Sequence, residues 1–352
     1  MSNQPKTIQE ILSSFNDDKT AFLSLNRKPL TYKGLFSQVV KVKNLIRSIN
    51  IQKEDRVAIV LPNGVLAASV FISIANCAVS APLNPNYKED EFFYYMNDLK
   101  VKLLICDQNC TPSVIAAKKS KIPILFVEEN NNDPAGTFNL QVNNFIETNE
   151  SNSNGNDQAL VLHTSGTTSK PKIVPLTQKN IVFSARNISQ TLKLNRNDIC
   201  INIMPLFHIH GLIAVILSSI YSGSSIFFTS GFNALNFFEL FNEAKPTWFS
   251  AVPSMHQAIL LRASKHKILN SKFNLRFIRS SSSSLPPNVM KKLESVFKCP
   301  IVEAYGMTEA SHQMASNSIN DGEQVAGSVG LEAGPKIMIL KDEQLTRKKE
   351  NL

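Results

Sequence analysis

The sequence of 352 residues contains only five cysteines, and no two of them form a C-x-x-C pair. Because this number is odd and the polar N-terminus lacks a signal-peptide pattern, we expect free thiols in a reducing compartment rather than a disulfide framework. Two phosphate-binding patterns are also missing. Without G-x-G-x-x-G a dinucleotide-binding half is not indicated, and without G-x-x-x-x-G-K-[ST] there is no Walker A loop.

Residues 200–238 contain no Lys, Arg, Asp or Glu. A run of this length raises the question of a membrane span, which needs about 20 consecutive apolar residues. Pro205, Gly211, Gly223 and Gly231 interrupt the run, with serine pairs between them. The pattern therefore predicts the buried core of an α/β domain, and we expect no membrane span.

The charge balance is basic, with 37 Lys and Arg against 28 Asp and Glu and a net charge of +9. Such a balance fits nucleic acid, an anionic membrane or small anionic ligands, and it does not choose between them. No signature of a nucleic-acid-binding module is present, so we expect no nucleic-acid partner. At about 150 residues per domain, the length favours roughly two domains.

Apolar runs that end in turn signals alternate with runs of helical period. Strands are predicted at 56–61, 102–106, 122–127, 159–163, 199–203, 225–229, 247–251 and 276–280. Helices are predicted at 35–46, 65–77, 89–99, 177–192 and 286–297. This alternation predicts an α/β fold with mostly parallel sheets covered by helices on both faces. An Asn- and Ser-rich stretch at 149–156 separates a first α/β subdomain, 1–156, from a second, 157–326.

A loop of small residues, T-S-G-T-T-S-K-P-K at 164–172, follows one predicted strand and precedes a predicted helix. Small residues let the backbone approach an anion, and hydroxyl groups and amides donate hydrogen bonds to phosphate oxygens. Lys170 and Lys172 bring positive charge to the same place. Alone, such a turn is also compatible with a plain solvated loop. Its place between a strand and a helix favours phosphate binding.

A second segment, V-E-A-Y-G-M-T-E at 302–309, reads as a strand that ends in a tight turn. Tyr305 offers an aromatic face on which a base can stack. Thr308 and Glu309 supply oxygen ligands that suit Mg²⁺ bound to a nucleotide. By itself the segment could be an edge strand with a surface glutamate. Together with the loop before it, it favours a nucleotide site.

With these two motifs, the sequence resembles the adenylate-forming superfamily of acyl-CoA synthetases, luciferases and peptide-synthetase adenylation domains. The loop at 164–172 is similar to its phosphate-binding motif, and residues 305–309 are similar to its adenine- and magnesium-binding motif. The resemblance covers nearly the whole chain. It implies two stacked, mostly parallel sheets flanked by helices, and an incomplete β-barrel subdomain that begins in 327–352.

Within the superfamily, the sequence is most similar to the oxalyl-CoA synthetase (oxalate–CoA ligase) branch. The features that carry this likeness are His163 before the loop, Ser169 where most relatives have glycine, L-F-H-I-H-G at 206–211 and T-E-A-S-H at 308–312. Ile173, where relatives usually have glycine, departs from the pattern.

By family position, His208, Ser282 and His312 face the acyl pocket. Two imidazoles and a hydroxyl group suit a second carboxylate, which is costly to bury without hydrogen-bond donors. A purely structural role is the alternative for each histidine, and His210 is expected only to pack beside Gly211. An amino-acid adenylation domain is disfavoured because no aspartate is placed to pair with an amino group.

The resemblance implies a reaction in two steps, in which a carboxylic acid attacks MgATP to form an acyl-adenylate and CoA then displaces AMP. ATP, Mg²⁺ and CoA are therefore the implied cofactors and co-substrates. The implied partner is a small acid, which the likeness to this branch identifies as oxalate. Under the same resemblance, His208 orients the acid, Thr308 contacts the α-phosphate and Glu309 binds Mg²⁺. The ATP-binding residues are Thr164, Ser165, Gly166, Thr167, Thr168 and Lys172 at the phosphates, and Glu303, Ala304, Tyr305 and Gly306 around the adenine.

The resemblance also implies parts that have no counterpart in the sequence: a ribose-binding Thr-Gly-Asp motif, and a small C-terminal domain with a catalytic lysine. We therefore expect a truncated chain that is weakly active or completed by a second chain. The alternative is a catalytically impaired remnant that binds ATP without full ligase activity. The last residues, K-E-N-L, are not the peroxisomal S-K-L address, so a cytoplasmic location is expected.

Overall fold

A computed structural model of the chain describes residues 4–141, 152–164, 171–265, 273–320, 324–341 and 344–346. Within these ranges the helices are α1 Ile8–Ser14, α2 Tyr32–Ser48, α3 Val65–Ala75, α4 Glu89–Asp98, α5 Thr111–Lys119, α6 Gln178–Thr191, α7 Ser218–Tyr221, α8 Phe237–Ala244, α9 Pro253–Lys265 and α10 Pro287–Phe297. A π-helical segment, His210–Leu217, runs directly into α7. A single 3-10 turn covers Thr308–Ala310.

The strands are β1 Thr20–Ser24, β2 Leu30–Thr31, β3 Arg56–Val60, β4 Val79–Pro82, β5 Leu103–Cys106, β6 Ile124–Glu128, β7 Asn139–Leu140, β8 Gln158–Thr164, β9 Lys172–Thr177, β10 Ile199–Asn202, β11 Ser225–Phe228, β12 Trp248–Ala251, β13 Phe277–Ser280, β14 Ile301–Met307, β15 His312–Ser316, β16 Leu331–Glu332, β17 Ile339–Lys341 and β18 Gln344–Thr346. Most are runs of four to seven residues. The central ones are buried along their whole length, as expected for parallel strands covered on both faces.

The first sheet has seven strands in the order β7-β6-β5-β3-β4-β8-β9. Its centre is parallel, with Ala58 of β3 opposite Leu104 of β5 and Ala81 of β4. The two edges are antiparallel, since β7 pairs with β6, and β9 folds back on β8. The hairpin of β8 and β9 carries the residues on either side of the small-residue loop.

The second sheet has nine strands in the order β16-β15-β14-β13-β12-β10-β11-β1-β2. The strands from β1 to β14 in this order are parallel to one another, and β2, β15 and β16 add antiparallel edges. In parallel strands, carboxyl ends lie at the same edge of the sheet. The segments that follow β10, β12, β13 and β14 are therefore neighbours, and the candidate site lies there.

The expected boundary between residues 156 and 157 does not separate the two sheets. Strands β1 and β2, from the first 31 residues, belong to the nine-stranded sheet, whereas β8 and β9, which follow the boundary, belong to the seven-stranded sheet. The reason is strand pairing. Strand β1 pairs with β11, and β8 pairs with β4, so each joins the sheet of its partner. Both sheets are open, and the described part of the chain contains no closed barrel; after residue 327 it forms the edge strand β16 and the hairpin β17–β18.

Most of the charge-free stretch at 200–238 forms core, as predicted, although His208, Ser230, Asn233 and Leu235 are exposed. All eight residues of the π-helical segment are buried, and β11 beside it is buried throughout. Trp248 of β12 stacks on Phe277 of β13 with ring centroids 5.4 Å apart, and both rings are fully buried. Among the described residues, no helix combines the length and apolar character that crossing a membrane requires.

Candidate active site

A group of buried polar side chains lies at the carboxyl ends of β12 and β13. Ser250 is in β12, Arg279 is in β13, and His210 begins the π-helical segment that follows β10. His312 and Gln313 enter from β15. All five are at most 3% exposed in a region otherwise packed with apolar side chains. Burying this many polar groups is costly unless they bond to one another or to a ligand.

His210 is the centre of this group. Its Nδ1 lies 2.9 Å from Ser282 Oγ, and its Nε2 lies 2.6 Å from Ser250 Oγ. The ring centroid of His312 is 5.0 Å away. Gly211 allows this placement, because a Cβ there would lie 2.3 Å from the carbonyl oxygen of Pro205. His210 therefore does more than pack beside Gly211.

Arg279 lies under His210 and is completely buried. One terminal nitrogen, Nη1, lies 3.4 Å from Ser250 Oγ and 3.5 Å from His210 Nε2, and Nη2 donates to Gln313 Oε1 at 3.2 Å. Burial lowers the pKa of Arg279 to about 9, and no acidic group offsets this effect. At neutral pH the guanidinium remains charged, so the group holds a buried cation without a carboxylate beside it among the described residues.

Three residues that close the group have a left-handed backbone. Ser282 has a φ of 77°, Ser311 of 56° and His312 of 96°. Such angles cost side-chain-bearing residues roughly 1–3 kcal/mol each, and they persist where the surroundings hold them. The Ser311 carbonyl accepts a hydrogen bond from Ser184 Oγ of α6, which fixes the turn. His312 Nδ1 is buried without a hydrogen-bond partner among the described residues, which is costly for a polar atom.

The imidazoles of the group are neutral when the chain is folded. Burial, with His312 and Arg279 nearby, holds the pKa of His210 well below its usual value. Burial and Arg279 do the same to the pKa of His312, and burial lowers the pKa of His256 to about 4. The positive charge of the group therefore comes from Arg279 and not from the histidines.

Lowering the pH from about 7.5 to about 5 should destabilise the fold. Below the unfolded pKa of about 6.5, the unfolded chain takes up protons at these histidines and the folded chain does not. Each neutral buried imidazole then lowers the free energy of unfolding by about 1.4 kcal/mol per pH unit until its folded pKa is reached. Urea denaturation at several pH values measures the slope. We expect His312→Gln to reduce this slope by the contribution of about one proton. Identical slopes for the variant and the parent chain would contradict the assignment of His312 as a neutral buried imidazole.

The turn after β14 carries the second motif. Tyr305 is 47% exposed, Thr308 is partly exposed and the Glu309 carboxylate is exposed. Glu303 is different: it is buried, and its carboxylate accepts hydrogen bonds from the backbone amides of Leu285 and Gly327. Burial raises the pKa of Glu303 against these two bonds. The carboxylate of Glu303 thus joins the loop after β13 to Gly327. Because the side chain is used in this way, only the backbone of Glu303 could border an adenine.

The two motifs converge. Thr164 at the end of β8 is paired with Lys172 at the start of β9, and residues 165–170 between them lie outside the described residues. These include Ser165, Gly166, Thr167 and Thr168, for which the phosphate-binding role stays a prediction. The turn Thr308–Ala310 contacts β9. Thr308 and Glu309 therefore lie against the strand that leads out of the small-residue loop.

Comparison with known proteins assigns the family. The family model described as "AMP-binding enzyme" matches residues 10–351. The chain belongs to the AMP-binding enzyme family. Membership confirms the resemblance on which the nucleotide motifs were assigned.

Relatives within the AMP-binding enzymes are CoA ligases of several acids. The chain is 38% identical to a probable CoA ligase, CCL9, of Humulus lupulus, over 92% of this chain and 63% of that protein. It is 36% identical to an oxalate–CoA ligase of Saccharomyces cerevisiae, over 94% of this chain, and 36% identical to an oxalate–CoA ligase of Arabidopsis thaliana, over 95%. The chain spans 66% of the length of each of these two relatives.

Solved structures of adenylate-forming CoA ligases share the fold. An anthranilate CoA ligase in complex with anthranoyl-AMP superposes with a TM-score of 0.82 at 21% identity, over 99% of this chain and 68% of that one. ATP-bound MatB from Rhodopseudomonas palustris gives 0.79 at 22% identity, over 98% and 69%. The predicted fold class, two mostly parallel sheets flanked by helices, is confirmed.

For this AMP-binding enzyme, the sequence motifs located part of the group and missed the rest. Ser282 and His312 both lie beside His210, and their role in an acyl pocket stays a prediction. His208 does not join them by a hydrogen bond to either; it is exposed, with its ring 4.5 Å from that of Phe207. His163 of β8 pairs with Asp98 at the end of α4 at 2.8 Å, which gives it a structural partner away from this group.

Arg279, Ser250 and Gln313 were not found from the sequence. Arg279 could have been recognised, since it is the one charged residue inside the apolar strand β13, F-I-R-S. Ser250 and Gln313 offer no such signal, because single polar residues in strands are common.

Proposed function

We propose that the chain activates a small dicarboxylic acid, oxalate, by forming an acyl-adenylate from ATP and then a CoA thioester. The observation that carries the choice of acid is the buried group of Arg279, His210 and His312, with the exposed Ser282 beside it. A hydroxyl group, a free imidazole nitrogen and a cation suit an anionic group on the substrate. A fatty-acyl or aryl pocket would instead be lined by apolar side chains.

The names of the relatives support this acid without deciding it. Two of them are oxalate–CoA ligases, whereas a malonate–CoA ligase of Arabidopsis thaliana is 30% identical over 79% of this chain. Oxalate and malonate both carry a second carboxylate. They differ by one methylene group, so the depth of the pocket has to distinguish them.

The proposed chemistry needs positioning and charge neutralisation rather than a protein nucleophile. One carboxylate oxygen of the acid attacks the α-phosphorus of ATP; the bond to the β-phosphate oxygen breaks, and pyrophosphate leaves. The sulfur of CoA, having lost its proton, then attacks the acyl carbon, and AMP leaves. Lys172 and the small-residue loop would hold the β- and γ-phosphates, Thr308 the α-phosphate and Tyr305 the adenine, with His208 beside the reacting carboxylate.

The residues present fit a magnesium ion. Mg²⁺ in nucleotide sites takes one or two carboxylates and completes its shell with phosphate oxygens and water. Glu309 is an exposed carboxylate, and Thr308 beside it adds a hydroxyl oxygen. When bound there, the ion would neutralise charge on the phosphates of ATP.

The direct test measures adenylation and thioester formation separately. Calorimetry gives the affinity for MgATP, and release of pyrophosphate and AMP is followed with oxalate, malonate, acetate and a long-chain fatty acid, with and without CoA. We expect MgATP binding and pyrophosphate release that depends most strongly on oxalate. Binding of MgATP without acid-dependent product would favour the alternative function, an ATP-binding protein without full ligase activity. A preference for acetate or the fatty acid would overturn the dicarboxylate assignment.

A further inference from the structure

Arg279 restricts which way hydrogen bonds can run through the buried group. A guanidinium has five N–H donors and no acceptor. Its Nη1 faces both Ser250 Oγ and His210 Nε2, at 3.4 and 3.5 Å. A lone pair on Nε2 makes both contacts favourable, whereas an N–H at Nε2 would face the N–H groups of Arg279. Ser250 Oγ accepts from Arg279 and is left to donate its own proton to Nε2, across 2.6 Å.

The tautomer of His210 follows from this arrangement. A neutral imidazole carries one N–H, so with Nε2 as the acceptor the proton is on Nδ1. Burial and the neighbouring cation keep the ring neutral by lowering its pKa. The groups that face His210 are His312, Arg279, His256 and His208, none of which is acidic. Nδ1–H then donates to Ser282 Oγ at 2.9 Å.

Ser282 is the end of the chain of hydrogen bonds. Its oxygen accepts from His210, so its own proton is free to be donated elsewhere. The residue is exposed, unlike Ser250, Arg279 and His210, and its φ of 77° holds the side chain at the surface of the group. The hydroxyl therefore keeps one proton to donate, which an anionic acceptor satisfies and a methyl group does not.

We propose that Arg279 is a positioning residue for acid selectivity: through Ser250 and His210 it fixes the direction of the hydrogen bonds so that Ser282 donates to the second carboxylate of the substrate. The effect on substrate rests on the proposed function, whereas the tautomer of His210 does not. Arg279 also supplies the positive charge of the group behind the neutral imidazoles. A monocarboxylic acid has no group that uses either property.

The first test is spectroscopic and needs no turnover. Two-dimensional ¹H–¹⁵N spectra of histidine side chains in the whole chain distinguish the two neutral tautomers, with His210→Asn used to assign the signal. We expect Nδ1–H for His210 in the parent chain, and a mixture of tautomers in Arg279→Met. An Nε2–H tautomer in the parent chain would overturn the inference, and this measurement stands even if Arg279→Met does not fold.

The second test compares acids. Arg279→Met removes the charge-assisted hydrogen bonds of the guanidinium. We expect this variant to raise the KM for oxalate about 10- to 100-fold, with little change in kcat or in the KM for MgATP. Arg279→Lys should recover part of the loss, and the ratio of oxalate to acetate use should fall. Arg262→Met is the matched control, because among the described residues Arg262 donates to the carbonyl of Leu235 at the surface and lies outside the buried group. Equal losses for oxalate and acetate would show a merely structural role.

Different results would contradict the proposed function and the inference about Arg279. If the parent chain forms no adenylate, calorimetric titration with oxalate in the presence of MgATP supplies the same comparison of variants. No oxalate binding by the parent chain would overturn the proposed function and the substrate part of this inference together. Oxalate binding that Arg279→Met leaves unchanged would overturn the inference alone.

Discussion

Replacing Gly306 by alanine should destabilise the fold by about 3 kcal/mol and remove adenylate formation. A Cβ at this position would lie 1.7 Å from the carbonyl oxygen of His312 and 2.5 Å from its carbonyl carbon. These are backbone atoms of the paired strand, so no side-chain rotation relieves the clash. Strand β15 would have to move away from β14, at the point where the pairing register already shifts between Tyr305 and Gly306.

The expected loss of activity exceeds what stability alone predicts. His312 is the first residue of β15, and Tyr305 precedes Gly306, so the displacement moves a side chain of the buried polar group and one of the second motif together. A misplacement of about 1 Å in a positioning group can cost about 100-fold in rate. Urea denaturation and acid-dependent pyrophosphate release measure the two effects.

Gly155→Ala is the matched control. Its Cβ would lie 3.3 Å from the Cβ of Lys6 and 3.6 Å from the Cβ of Lys179, without the backbone overlap found at Gly306. We expect a change in stability of less than about 1 kcal/mol and unchanged product formation. If Gly306→Ala behaved like Gly155→Ala, the close approach of β15 to β14 would be wrong.

The sequence correctly predicted the strands whose residues are nearly all apolar, because such runs have to be buried. Strands such as β3, β5 and β12 are apolar runs buried on both faces, and they form where the pattern places them. Strand β9 was not predicted. It lies at a sheet edge, contains Pro175 and alternates buried with exposed residues, so pairing with β8 rather than composition makes it a strand.

The same contrast applies to the candidate site. The motifs identify the loop around Thr164 and the turn at Thr308 because their residue types carry the chemistry. They do not show which of His208 and His210 points inward, since the two differ by two positions and the π-helical segment that starts at His210 decides it. Arg279 acquires its role only when β12, β13 and β15 bring Ser250 and Gln313 to it. Long-range packing of this kind has no local signal.

Glu309→Gln should weaken adenylate formation on the order of 10²–10³-fold while leaving the fold intact. The substitution keeps size and hydrogen bonding but removes the negative charge that a magnesium ion requires. Because the Glu309 side chain is exposed and lies in the 3-10 turn after β14, its replacement leaves no buried group without a partner. Stability in urea should therefore match that of the parent chain.

A readout independent of turnover separates metal binding from a general effect on the site. The affinity for ATP should rise on adding Mg²⁺ in the parent chain, and this dependence should be much smaller in Glu309→Gln. Glu243→Gln removes an equally exposed carboxylate on α8, away from the turn, and should change neither quantity. If both variants retain the same Mg²⁺ dependence, the ion is held elsewhere, and Glu309 serves only as a surface residue of the turn. A loss confined to Glu309→Gln would place the metal at the end of β14, beside Thr308 and the strand that leads from the small-residue loop.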